Sequence, residues 1–435
     1  MKKISKYFFI CVCCNILLPI ATSALSEEKN FSLEVSYFNE FDIIEMINSV
    51  NESRVLYFFE NLLSFGIRYT GTPNCTQAGD WIYNEFGEMG LDVEFHEWKI
   101  KNFKSRNIIA TLPGNDVSSN AIFIICAHYD TFKTSPGAND DGSGIVAILC
   151  IAEILSKYSF NHTIKFIAFS GEEVGTYGSF TYARDSYKKG DNIFAVLNLD
   201  IIGYAETIKG GKILRFFHEE PSTWIAEFAK TISEKYNNIL DMTIESLPNY
   251  PGADNQAFVD YGYDGVWIAQ HDPNWVGHSE NDTLEHINLT YQIKSTKLML
   301  VILTEFAIKP INIQVILQTP LEAKLYFQNY PSINLYFAEY YFQRMRGITI
   351  VFGKTTAIAE TICKKNIKYV IFVIDDMFIF WDDTPPYEWK IQGKFYPLIG
   401  RHTLKVYAYS ETNEYDIDQM DIIFFTRSNY FNRHR

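Results

Sequence analysis

Four short, almost uninterrupted apolar runs limit how this chain can fold more than any other feature: "AIFIICA" (121–127), "TIKFIAFS" (163–170), "NIFAVLNL" (192–199) and "DGVWIAQ" (264–270). Between them lie helical patterns, among them "SGIVAILCIAEILSKY" and "STWIAEFAKTISEKY". Strands that are apolar on both faces, alternating with helices, belong to a parallel or mostly parallel sheet covered by helices on either side. The expected fold class is therefore α/β over the larger part of the chain.

The flanks read differently. Upstream, "VLYFFENLLSFG" and "AGDWIYNEFGEMG" carry helical spacing, Gly90 marks a helix stop, and "LDVEFHEW" alternates like a strand. Downstream, residues from Ser279 to about Lys309 are expected to hold a long helix, with Asp282 and Glu285 spaced as a capping box. After Pro310, alternating runs such as "VIFVIDDMFIFW" and "HTLKVYAYS" predict a small all-β sandwich. At the N-terminus, Lys2, Lys3 and Lys6 precede an apolar run and the small residues "ATSA", the order of a secretory signal. The expected organisation is a signal peptide over 1–24, an α/β domain over 25–309 and a β-sandwich over 310–435.

With 38 basic and 52 acidic residues the formal charge is −14; with no basic stripe to offset phosphate, nucleic acid is excluded as a partner. Beyond the signal, Cys75, Cys126, Cys150 and Cys363 remain. Cys126 and Cys150 lie in apolar segments and read as small core residues rather than a disulfide framework.

Polar residues gather after each apolar run. His128, Asp130 and Asp140 follow the first, Glu172 and Glu173 the second, Asp200 the third and His278 the fourth. In an open parallel sheet, ligands bind outside the carboxyl ends of the strands, so these residues are expected to converge on one rim. Carboxylates and imidazoles crowded together need a cation, and a mixed N/O donor set suits zinc. The excess of carboxylate suggests two ions sharing a bridging group.

In order and approximate spacing, "AHYDT", "GANDDGSG", "FSGEEVG", "NLDIIG" and "HSENDT" resemble the zinc aminopeptidases of the M28 family, over roughly residues 31–308. The resemblance implies two zinc ions. His128, Asp140 and Asp200 would hold one; Asp140, Glu173 and His278 the other, with Asp140 bridging. It makes Glu172 the general base and Asp130 the residue that orients His128. It also implies a cis bond between Asp140 and Asp141. The chemistry asks for the same roles: a carboxylate near a ligating imidazole fixes its tautomer, and one near activated water takes its proton. Asp140 and Asp141 could instead merely cap the next helix. His271 and His286 rival His278, and the role of Asp254 is open. His96, His162, His218, His402 and His434 read as surface or structural.

The expected function is an exported exopeptidase acting on peptides with a free N-terminus. A glutaminyl-peptide cyclotransferase, a carboxypeptidase for acidic dipeptides and an inactive cell-surface binding protein are the alternatives. The region after 310 resembles bacterial-type immunoglobulin-like modules, which implies a contact with the cell surface or a polymer.

Overall fold

Every one of the four apolar runs becomes a strand in the computed structural model of the chain. It describes residues 40–425 except 117–118, 220–221, 249–251, 310–312, 320–323, 328–329, 335–347, 354, 364–366, 376, 392–398 and 412–414. The expected signal over 1–24 and His434 lie outside these residues. No described helix is long and apolar enough to cross a membrane.

Three helices come first, α1 (Glu40–Ser49), α2 (Glu52–Ser64) and α3 (Pro73–Glu88). The Asn51 side chain caps α2 by accepting from the Arg54 N–H, and Thr72 caps α3 ahead of Pro73; both devices satisfy N–H groups that a helix start leaves free. A hairpin follows, β1 (Asp92–Ile100) and β2 (Phe103–Leu112). The chain then runs through β3 (Ile122–His128), α4 (Gly142–Leu155), β4 (Thr163–Phe169), α5 (Tyr177–Lys189), β5 (Ile193–Leu199), β6 (Ile213–His218), α6 (Thr223–Lys235), α7 (Asn237–Leu240), β7 (Thr243–Pro248), α8 (Asp254–Val259), β8 (Gly265–Gln270) and α9 (Leu289–Ile308).

The eight strands form one sheet in the order β1-β2-β4-β3-β5-β8-β6-β7. Its centre, β4-β3-β5-β8, is parallel; β2 and β6 join it antiparallel. Along β3, Phe123, Ile125 and Ala127 enter the larger core with α1–α4, α6 and α9, while Ile124 and Cys126 enter a second core with α5 and α8. Both faces of the strand are thus covered, which is why it reads as a continuous apolar run. Beyond Ser143, helix α4 is apolar except at Glu153, which pairs with Arg54, because the rest of it is buried. From β3 the chain turns to β4 on one side, and β5 flanks it on the other. The crevice where ligands settle in open α/β sheets lies at such a reversal.

The capping box expected at Asp282 and Glu285 is not used. Helix α9 begins later, at Leu289, and the Asn288 side chain caps it by accepting from the Tyr291 N–H. Asp282 is fully buried and engaged elsewhere. Cys75, Cys126 and Cys150 are buried free thiols; the Cys363 side chain lies outside the description.

Among the described residues after α9, the regular elements are all strands: β9 (Ile313–Thr319), β10 (Lys324–Phe327), β11 (Tyr330–Asn334), β12 (Ile348–Phe352), β13 (Thr355–Cys363), β14 (Ile367–Ile374), β15 (Met377–Asp382), β16 (Tyr387–Ile391), β17 (Ile399–Ser410) and β18 (Tyr415–Phe425). They make a seven-stranded sheet, β11-β10-β12-β18-β17-β14-β15, and a three-stranded one, β16-β13-β9. Most pairs are antiparallel, but β12 runs parallel to both its neighbours. Val315, Ala357 and Tyr387 from the small sheet share a core with Phe372, Val406 and Ile422 from the large one. Trp389 is half-buried, its ring nearly parallel to that of Phe380.

The start of α4 lies hard against the end of β5. A Cβ on Gly144 would come within 2.5 Å of the Leu199 carbonyl oxygen and 2.6 Å of the Asp141 carboxylate. Gly144→Ala is therefore expected to cost about 1–3 kcal/mol, the usual range for overpacking, read as a lower midpoint in urea denaturation.

Candidate metal centre

At the carboxyl end of β3, the chain enters a buried loop that returns as α4. His128 ends the strand, Asp140 lies just before the helix, and Asp141 caps it. Asp200 follows β5, Glu172 and Glu173 follow β4, and His278 follows β8. The sheet brings the five expected ligands together. One group comprises His128, Asp140 and Asp200, a second Asp140, Glu173 and His278, with ligand atoms in each group within 4.8 Å of one another.

Asp140 belongs to both groups. Its Oδ1 lies 3.3 Å from His128 Nε2 and its Oδ2 3.1 Å from His278 Nε2. Asp200 Oδ1 is 3.9 Å from His128 Nε2, and Glu173 Oε2 is 3.3 Å from His278 Nε2. Glu173 Oε1 is buried with no hydrogen-bond partner. An unpartnered carboxylate oxygen among imidazoles and further carboxylates fits a place for a cation. The bond between Asp140 and Asp141 is cis, as expected.

The backbone N–H groups of His128, Asp140 and Glu173 are held by three carboxylates that belong to neither group. Asp141 accepts from the N–H of His128 (3.2 Å), and also from those of Gly144 (2.9 Å) and Ile201 (3.3 Å), so it joins β3, α4 and the end of β5. Asp282 accepts from the N–H groups of Asn139 (2.9 Å) and Asp140 (3.0 Å), while its own carbonyl accepts from Ala138. Asp130 accepts from the N–H groups of Glu172 and Glu173, both at 3.3 Å, and from the Thr70 hydroxyl at 2.6 Å. Beside His128, the nearest acceptor for Nδ1 is the Asp130 carbonyl at 3.0 Å; the Asp130 carboxylate is 3.7 Å away.

Burial dominates the electrostatics. It pushes Glu172 well above the usual carboxylate range, His128 opposing and Asp200 and Asp254 adding, although part of the residue still faces solvent. Burial also raises Glu173 and Asp200, each to about 7. Acting alone it would raise Asp140 as well, but the bonds to His128 and His278 outweigh it and hold that carboxyl low. Cations would relieve the same crowding.

The remaining histidines stand apart. His271 Nδ1 lies 2.9 Å from Asp272, and His286 lies near Thr283; neither joins a metal group among the described residues. His96, His162, His218 and His402 each make local hydrogen bonds. Asp254 is fully buried at the start of α8, and burial raises it to about 6. Sequence reasoning missed the roles of Arg68, Thr70 and Asp282. Arg68 is wholly buried and donates to the carbonyls of Tyr129, Pro136 and Gly137. Nothing local marks it: a single arginine in "SFGIRYTG" gives no hint of partners over 60 residues away.

The profile of Peptidase family M28 matches residues 107–303. A probable leucine aminopeptidase of Arthroderma benhamiae is 27% identical over 289 residues, which cover 61% of this chain and 74% of the relative. Leucine aminopeptidase 1 of Coccidioides posadasii is 27% identical over 314 residues, 66% of this chain and 79% of the relative. Among solved structures, LapA of Legionella pneumophila superposes with a TM-score of 0.56 at 19% identity, covering 63% of this chain and 78% of LapA. BSAP, a zinc aminopeptidase from Bacillus subtilis, gives 0.55 at 18%, covering 60% of this chain and 96% of BSAP. These structures share the fold of the α/β region.

Replacing Asp282 by alanine strands two N–H groups at the centre of the loop, each costing about 1–3 kcal/mol. Asp282→Ala should lose about 2–6 kcal/mol of stability in chemical denaturation.

Proposed function

From the premise that this chain carries an M28 peptidase domain, we propose that it is an exported aminopeptidase with two zinc ions, removing N-terminal residues from peptides. The observation that carries the reading is Asp140, whose two oxygens face two different imidazoles. His128 and Asp200 complete one ligand set, Glu173 and His278 the other. Zinc, when bound, supplies a Lewis acid for the scissile carbonyl, brings the pKa of water toward neutrality and offers a seat for a free amine. Glu172 accepts the proton of the attacking water and returns it to the leaving amine; burial raises its affinity for that proton. Asp130 holds the backbone of Glu172 and Glu173, so base and ligand keep a fixed spacing. The relatives named leucine aminopeptidase favour an N-terminal leucine as substrate.

The domain boundaries proposed are 1–24 for the signal, 25–309 for the peptidase and 310–435 for an immunoglobulin-like module. Separate apolar cores before and after residue 310 support the last boundary. The module is read as a contact to polymer at the cell surface. On its seven-stranded sheet, Tyr369, Tyr409 and Tyr415 stand in register across three strands, with Trp381 against Tyr369. Trp381 and Tyr415 are 55% and 59% exposed, and exposed apolar patches of this kind mark contact sites.

Glu172→Gln should keep metal content and lower turnover of a leucine chromogenic amide by about 10²–10⁴-fold, whereas Asp140→Ala should lose metal as well. Full turnover in Glu172→Gln, or cyclisation of an N-terminal glutamine peptide in place of hydrolysis, would defeat the reading. A chain ended after Lys309 should stay folded and cleave small amides while no longer adhering to cell-wall polymer; failure to fold would move the boundary.

A further inference from the structure

A ligating imidazole normally has its second ring nitrogen tied down by a hydrogen bond, which fixes the direction of the first. His128 follows that rule through the Asp130 carbonyl. His278 does not. Its Nε2 faces Asp140 and Glu173, but Nδ1 has no hydrogen bond to any described residue. The side chain is also 54% exposed, against 2% for His128, and the residue sits in the left-handed region, at φ 59°. On these grounds the ring should swing.

Something else holds it. The Phe132 ring lies face to face with the imidazole, centroids 4.6 Å apart and planes 9° from parallel. Two residues on, the Thr134 hydroxyl donates to the His278 carbonyl at 3.0 Å. Phe132 and Thr134 belong to the loop that leaves His128 and Asp130. The segment that starts with a ligand of the first set therefore reaches across and fixes a ligand of the second.

We propose that Phe132 is the positioning residue of the His278 metal site: its ring, stacked on the imidazole, takes the place of the missing hydrogen bond and aims Nε2 at the ion shared with Asp140 and Glu173. The proposal rests on the two-ion reading above. Stacked rings attract through offset π contacts, and the stack restricts rotation about the bond that carries the imidazole. Phe132 itself touches no reacting atom.

The test is zinc binding, not turnover. The full-length protein is stripped of metal and titrated with zinc against a chromogenic chelator, with metal content measured in parallel. The wild type should take two ions. Phe132→Ala should keep one at wild-type affinity and bind the other about 10–100-fold more weakly, the usual cost of losing a group that orients a ligand. Phe132→Tyr, which retains the ring, should restore both; Phe132→Leu, which keeps apolar bulk alone, should behave like the alanine variant. If Phe132→Ala does not fold, the comparison of leucine with tyrosine decides. Equal affinity for both ions in Phe132→Ala, or in the leucine and tyrosine variants, overturns the role of Phe132 and leaves the metal reading standing. A wild type that takes fewer than two ions overturns both.

Discussion

Carboxylates in the interior must be held by donors, and the peptidase-like half of this molecule is organised around that need. The donors are backbone N–H groups at the ends of the central strands. Asp141, Asp282 and Asp130 each gather two or more, and among them are those of His128, Asp140 and Glu173. Carboxylates outside the metal groups thus fix the chain that carries the groups' own side chains. Their reach ties down a loop that has little regular structure: Asp141 spans β3, α4 and the end of β5, and Asp282 arrives from just before α9.

Burial outweighs these donors in the charge balance: Asp141 stands well above the usual carboxylate range in spite of its three N–H bonds, with Asp200 adding to the rise. The N–H bonds lower Asp282 against the burial that lifts it to about 6. Glu172, Glu173 and Asp200 have no comparable set of donors, and burial leaves them well above the normal range. Arg68 is the buried cation nearby, but its guanidinium is occupied with carbonyl groups. It sets the course of the loop rather than neutralising the cluster. The positive charge that the cluster still needs has to come from outside the chain, which is the physical basis for reading it as a metal centre.

The two imidazoles show how unequal the two halves of the centre are. His128 is enclosed, anchored at both nitrogens and placed at the end of a strand covered on both faces. His278 comes from an exposed loop and is steadied by a ring stack. One half is built into the sheet; the other is assembled on its rim from a segment that solvent can reach.

Much of this was legible in the sequence. Strands β3, β4, β5 and β8 are visible as apolar runs because burial on both faces is a local property of composition. The groups that follow them are visible because a parallel sheet sends its strand ends to one rim, and the helix-capping place of Asp141 because caps act within three residues. The apolar run does not show where β6 and β7 fit, nor that β6 runs antiparallel to β8. The role of Asp282 was misread as a local cap because its true partners lie 142 and 143 residues away. Arg68, Thr70 and Phe132 were invisible for the same reason. A sequence states which residues want to be buried and which want a charge beside them; only the closed sheet decides which of them meet, since each such contact spans dozens of residues that carry no trace of it.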